Sequence, residues 1–291
     1  MYEKLEQCPV CQYTSHDNYL ICDDHSVSKE SFALVRCPRC HTIYTNPRPS
    51  KEHIHTYYQS NDYISHTSQA NNLINFAYKL ARTYTLRWKF NIIRQLHSKP
   101  GRLLDFGAGT GDFQHYVQRK KWSTIGVEPN ESARSIAISK NIQVFPQLSK
   151  DNKSEYDIIT AWHVLEHVHE LKDTIRKLRK RLAPHGHLLI AVPNPHSYDA
   201  QHYESFWAGY DVPRHLYHFP PESIQNIAQR TKLQLKRTLP MKLDAYYVSI
   251  LSEKYRQSST AILSGLQTGW RSNQHAAKSQ QYSSLIYVLT K

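Results

Sequence analysis

The stretch Arg102-Leu-Leu-Asp-Phe-Gly-Ala-Gly-Thr-Gly-Asp-Phe113 constrains the fold of this chain more than any other. An apolar run, Leu103 to Phe106, reads as a short buried strand. It meets glycines at three alternate positions, Gly107, Gly109 and Gly111, and passes into a helix-like segment ending near Lys120. Glycines there let the backbone turn tightly and approach a ligand without Cβ obstruction, and a helix starting after them offers free N–H groups. The spacing is not that of the dinucleotide fingerprint G-x-G-x-x-G, because the third glycine follows the first by four positions and residue 112 is Asp. A second anchor is Ser123-Thr-Ile-Gly-Val-Glu128, a β-branched run ending in an acid 21 residues after Gly107. A strand parallel to the first would deliver the Glu128 carboxylate beside the loop, where it can accept from both hydroxyls of a ribose. Together the two anchors predict a nucleotide-type cofactor site.

The alternation continues downstream. Ser132 to Ser139 suits a helix, Ile142 to Phe145 and Tyr156 to Trp162 strands, His163 to Leu182 a helix, and His187 to Val192 a buried strand ending at Pro193. Strands alternating with helices imply an α/β fold with a doubly wound, mostly parallel sheet and its ligand at the carboxyl ends of the strands. Upstream, apolar residues recur from Leu73 through Phe76, Leu80, Tyr84, Trp88 and Ile92 to Leu96, fitting a helix with one buried face that ends at Pro100-Gly101. Residues 61–99 are therefore expected to be connecting helices, and 100–291 the main domain.

Residues 1–60 carry a different signal. Cys8-Pro-Val-Cys11 and Cys37-Pro-Arg-Cys40 are two C-x-x-C knuckles separated by 25 residues, which suits one tetrahedral zinc ion. Four thiolates would leave no open position, so a ribbon of this kind reads as structural. Cys22 is left over as an ordinary thiol that could also replace a ligand, and His41 is a weaker spare.

Asp105-Phe-Gly-Ala-Gly-Thr-Gly111 resembles motif I of the class I S-adenosylmethionine-dependent methyltransferases. Gly126-Val-Glu-Pro129, Tyr156-Asp157 through Trp162-His-Val-Leu-Glu-His167, and Tyr210-Asp-Val-Pro-Arg-His-Leu-Tyr-His-Phe219 extend the resemblance to a subgroup with an N-terminal zinc-binding module. Leu34 to Ser50, Tyr57-Tyr58 and Asn61 to His66 belong to the same pattern, in which glycine usually stands where this chain has His41. The resemblance implies a Rossmann-like sheet of seven strands with an antiparallel edge hairpin, for which Leu233–Arg237 and Ser284–Leu289 are candidates, separated by a helical insertion over about 240–281. It also implies cofactor contacts from Asp105, Gly107, Gly109, Gly111, Glu128 and Trp162. Where many members carry an acidic or amide residue to read the adenine amine, this chain offers Gln147.

Methyl transfer from a sulfonium needs a positioned acceptor and, for a hydroxyl or amine, a base. Candidate bases are His163, His167 and His215, with Glu166, Asp211 and His218 nearby in sequence. Three readings of the 163–167 group stay open: bracing of the pocket and its helix, a histidine general base oriented by a carboxylate, or a divalent metal held by Glu166, His167 and a later histidine. The aromatic loop from Tyr203 to His215 reads as a substrate lid, with Arg214 and His215 for an anionic group and Trp207 or Tyr210 for stacking, completed by Tyr246-Tyr247. The expected partner is a small-molecule acceptor such as a sugar, quinone-like or polyketide-like compound. A net charge of +13 keeps RNA as the alternative. No apolar run approaches the roughly 18 residues of a membrane span, and the first residues lack a signal-peptide pattern. A cytoplasmic location is the default expectation.

Overall fold

The computed structural model describes residues 1–58, 72–148 and 155–291, with side chains from 83 onward in the first helix. Asn61 to His66 of the subgroup pattern, and the helix side chains Leu73 to Leu80, lie outside the described residues. Thirteen strands occur among those residues. They are β1 Tyr2–Glu3, β2 Asp17–Asp23, β3 Ser31–Arg36, β4 Ile43–Thr45, β5 Arg48–Pro49, β6 Arg102–Phe106, β7 Ser123–Val127, β8 Val144–Phe145, β9 Tyr156–Trp162, β10 Leu182–Pro193, β11 Tyr217–His218, β12 Gln234–Pro240 and β13 Ser284–Thr290.

Seven of them form one sheet in the order β12-β13-β10-β9-β6-β7-β8. The central pairs are parallel, with Asp105 facing Gly126 on β7 and Thr160 on β9. β6 and β9 contain wholly buried residues such as Leu103, Leu104, Ile158 and Ile159, the near-continuous apolar runs of a sheet covered on both faces. This is the doubly wound, Rossmann-like architecture the alternation of strands and helices predicts. The sheet order places the expected edge strands β12 and β13 side by side. Two helices, Asp244–Tyr255 and Ala261–Ser279, fill the sequence between them.

Two expectations are corrected. The helix expected from His163 to Leu182 is confined to Leu171–Arg181, preceded by a 3-10 turn at Leu165–His167. His163 sits at φ +54, a left-handed backbone in which a helix does not start. The strand expected from Ile142 is only Val144–Phe145, because residues 140–142 still bond back to Ala137 and Ile138.

The chain divides into two compact units. One comprises residues 61–162, 177–189 and 290–291, and the other residues 1–60, 163–176 and 190–289. In the second, β2, β3, β4 and β11 make an antiparallel sheet in the order β11-β4-β3-β2, so the two residues of β11, just after the aromatic loop, pair with the N-terminal segment. Trp207, Tyr210, Val212 and Tyr203 pack with Cys22, Phe32, Leu34 and Ile43 into one apolar core.

Candidate active site

In the unit that carries the glycine loop, Gly107, Gly109 and Gly111 all take positive φ, at 80°, 52° and 72°. This is the left-handed region that only glycine enters without strain. The Gly107 and Ala108 amides both donate to the Val127 carbonyl at the end of β7, and this fastens the loop to its neighbouring strand. The Glu128 carboxylate accepts from the Gly109 amide at 2.9 Å and from the Asn130 amide at 2.9 Å. Asn130 in turn caps the following helix, its side chain accepting from the Ala133 amide. Glu128 thus stands beside the glycine loop, as its spacing predicts.

Asp105 lies behind the loop on β6, buried, and accepts from the Thr160 hydroxyl at 2.6 Å. Burial pushes its carboxyl up to about 6, with the Glu128 charge adding and the Thr160 bond and the Lys89 ammonium opposing. Trp162 closes β9 with its ring edge-on to Phe113 at 5.8 Å and the Lys89 Nζ 4.5 Å from its centroid. Gln147, expected near an adenine amine, is exposed after β8.

These residues fit a nucleoside cofactor by two observations. A Cβ placed on Gly109 would meet nothing within 4 Å, so the loop faces open space at its middle glycine. The Trp162 Nε1 is buried and has no hydrogen-bond partner among the described residues, a donor left for a ligand.

The candidate bases lie in the other unit. His163 follows Trp162 directly in the chain, and its amide donates to the Ala191 carbonyl of β10. Its Nε2 is 3.0 Å from the Asp244 carboxylate and its Nδ1 3.4 Å from Glu166. Burial works against the imidazolium, but these two carboxylates outweigh it and hold its pKa at about 10. Asp244 is a residue that sequence reasoning missed: it opens the inserted helix, 81 positions away, and nothing local marks it.

His167 and His215 come together with ring centroids 4.6 Å apart. Glu166 is wholly buried, and its carboxyl is held low because the His163 contact and the His215 charge outweigh desolvation. His218 is buried, and burial drives its pKa well down. Asp211 is paired with Arg214 at 2.7 Å.

The aromatic loop differs from the expected lid. Arg214 is 1% exposed, donates to Asp24 at 2.9 Å and to the Tyr57 carbonyl at 3.1 Å, and so ties the loop to the N-terminal segment. A buried guanidinium already neutralised by two carboxylates, Asp24 and Asp211, is not a free charge for a substrate anion. Trp207 and Tyr210 are likewise core residues, the Trp207 indole donating to Asp199 at 2.8 Å. Tyr247 is exposed.

The four knuckle cysteines converge. Cys8 and Cys40 Sγ are 3.4 Å apart, as are Cys11 and Cys37, and all four sulfurs lie within 4.8 Å of one another in a buried cluster. The Gln12 and His41 amides donate back to the Cys8 and Cys37 carbonyls, and both residues take φ near +60. This explains why glycine suits the position of His41. Cys22 stands apart in the apolar core, its thiol pushed up to about 12 by burial.

The model of a methyltransferase domain family matches residues 78–237, more than half of the chain. The chain belongs to this methyltransferase family. It is an S-adenosylmethionine-dependent methyltransferase. Among solved structures, it is similar to a Galdieria sulphuraria protein assigned as a sarcosine dimethylglycine methyltransferase. That match has 14% identity, covers 72% of this chain and 86% of the other, and has a TM-score of 0.53, a likeness of fold. A cyclopropane synthase from Mycobacterium tuberculosis matches at 17% identity over 69% of this chain and 84% of its own, with a TM-score of 0.47. An S-adenosylmethionine-dependent methyltransferase from Archaeoglobus fulgidus matches at 18% identity over 76% and 100%, with a TM-score of 0.48. No curated protein matches the sequence.

Proposed function

We propose that this methyltransferase acts on an acidic oxygen or carbon of a small molecule, phenol-like or enol-like, in the quinone or polyketide range. The single observation that supports this class is the His163–Asp244 pair, 3.0 Å apart, one residue beyond Trp162. Bound at the glycine loop, S-adenosylmethionine supplies a methyl group with an excellent leaving group. What remains for the chain is to hold the cofactor, place the acceptor and take its proton. Asp105, Gly107, Gly109, Gly111, Glu128 and Trp162 would hold the cofactor, and the Glu128 carboxylate would be the acceptor for its ribose hydroxyls. His163, gripped from both sides by carboxylates, orients Asp244, and the Asp244 carboxylate accepts the acceptor's proton. A carboxylate is a weak base, matched to acceptors whose proton is already acidic and poorly matched to a sugar hydroxyl. The four cysteines hold structural zinc, their closed sulfur shell leaving no position for a reactant. A second reading, RNA methylation, draws support from the net charge of +13 and predicts binding that weakens steeply with salt.

The test is transfer of a labelled methyl group to a panel of phenols, 1,3-dicarbonyl enols, nucleotide sugars and ribosomal RNA. The reading predicts product with the first two classes and a kcat lower by about 10²–10⁴-fold in Asp244→Asn, with cofactor affinity retained. Methylation of sugars or RNA alone, or an unchanged Asp244→Asn, would contradict it.

A further inference from the structure

The geometry points to a second metal site, distinct from the cysteine cluster: a divalent first-row transition-metal ion held by Glu166, His167 and His215. One ligand atom from each of the three lies within 4.8 Å of the other two. Glu166 is 0% exposed, yet neither of its carboxylate oxygens has a hydrogen-bond partner among the described residues, and its nearest cation is the His163 ring at 3.4 Å. The His163 imidazolium, shared with Asp244, meets one of these oxygens without a well-formed hydrogen bond, and the other is left unsatisfied, which is costly for a buried carboxylate.

The histidines are set up as ligands by their other nitrogens. His215 Nδ1 is 3.0 Å from the Gly209 carbonyl and His167 Nδ1 is 3.1 Å from the Arg214 carbonyl. A carbonyl only accepts, so each Nδ1 carries the hydrogen and each Nε2 keeps a lone pair. That tautomer, fixed by a backbone carbonyl, is the usual outer arrangement of a metal-bound imidazole. The Tyr58 hydroxyl lies 3.0 Å from the same His167 nitrogen and adds a second restraint on the ring.

The chain path delivers the three residues together for reasons unrelated to the cofactor loop. Glu166 and His167 share the 3-10 turn after His163, and the Leu216 amide donates to the Glu166 carbonyl at 2.7 Å, which brings His215 alongside. The Thr45 hydroxyl donates to the His215 carbonyl at 3.0 Å and pins the same residue from β4. Bonds of about 2.0–2.2 Å to one ion require ligand atoms about 3.3 Å apart, so the group closes by side-chain rotation of about an ångström. Two imidazoles and one carboxylate suit Zn²⁺, Fe²⁺, Co²⁺ or Mn²⁺, and are a poor match for the all-oxygen preference of Mg²⁺ or Ca²⁺. Asp211 Oδ2, 3.9 Å from His215 Nε2, and the buried His218 border the group, while Arg214 is neutralised by Asp24 and Asp211. Three protein ligands leave a position open, unlike the closed sulfur shell at the cysteines. The inference does not depend on which acceptor is methylated.

Cobalt(II) titration of the full-length protein, purified with its cysteine-bound metal and stripped only of weakly held ions, tests it. The expected result is one further equivalent of Co²⁺, with visible d–d absorption and no thiolate-to-cobalt charge-transfer band. That equivalent should be lost in Glu166→Gln and in His215→Gln, with Mg²⁺ giving no response in any of the three. Metal analysis and a thermal unfolding transition check that each variant is folded with its cysteine site filled. Absence of nitrogen- and oxygen-ligated cobalt in the wild type would overturn the site without reference to any variant. So would equal stoichiometry in wild type and folded variants.

Discussion

Asp105 shows how much a single burial decides. Its carboxyl ordinarily titrates near 3.8 and in the folded protein near 6. The folded chain therefore keeps this proton over a range in which the unfolded chain has already released it. Stability arising from this group is full below pH 3.8, falls as pH rises to about 6, and is flat beyond. Asp105→Asn keeps an acceptor for Thr160 and removes the titration. In denaturant unfolding without cofactor it should match the wild type near pH 4 and exceed it by about 3 kcal/mol above pH 6. The residues that could be recognised in sequence were those marked by local chemistry: the glycines, Glu128 and the cysteine pairs. Asp244 and the burial of Arg214 were not legible, because each depends on a partner far along the chain, His163 in one case and Asp24 in the other.

At the scale of elements, the glycine loop separates binding from stability within five residues. Gly109 and Gly111 both have positive φ but different surroundings. A Cβ at Gly111 would stand 2.9 Å from the Ala137 Cβ and 3.2 Å from Ile142, whereas at Gly109 it would meet open space. Both alanine substitutions incur strain of about 1–2 kcal/mol. Gly111→Ala adds a clash in the core, so it should lower the melting temperature more than Gly109→Ala. Gly109→Ala should instead weaken cofactor binding more, and calorimetry beside thermal melts distinguishes the two. Strands were legible where apolar runs meet glycine or proline, as at Leu103–Phe106 and His187–Val192. The expected helix at His163 failed because its apolar and basic residues look helical while the backbone of His163 is left-handed, a strain no local pattern reveals.

For the whole molecule, the N-terminal segment is less separate than its cysteine spacing suggests. β4 carries β11 on its edge, and Thr45 holds both His215 and Leu216 through their carbonyls. The two-residue strand Tyr217–His218 is too short to announce itself, so the sequence before it reads as a substrate lid. Loss of metal from the cysteines should therefore reach the loop that carries His215. Cys37→Ser should release one equivalent of zinc and destabilise by several kcal/mol. Hydrogen exchange should show lost protection at Leu216 as well as at residues of β3.

The most direct test of the account is calorimetric titration of the protein with S-adenosylhomocysteine beside Glu128→Ala. Glu128 accepts from the Gly109 amide and is the carboxylate proposed above to meet the ribose. The account predicts binding by the wild type and an affinity at least about tenfold lower in the variant, the loss of about 1.4 kcal/mol expected for a charged hydrogen-bond acceptor. No heat and no thermal shift with the wild type, or equal affinity in the two proteins, would contradict the placement of the cofactor at this loop.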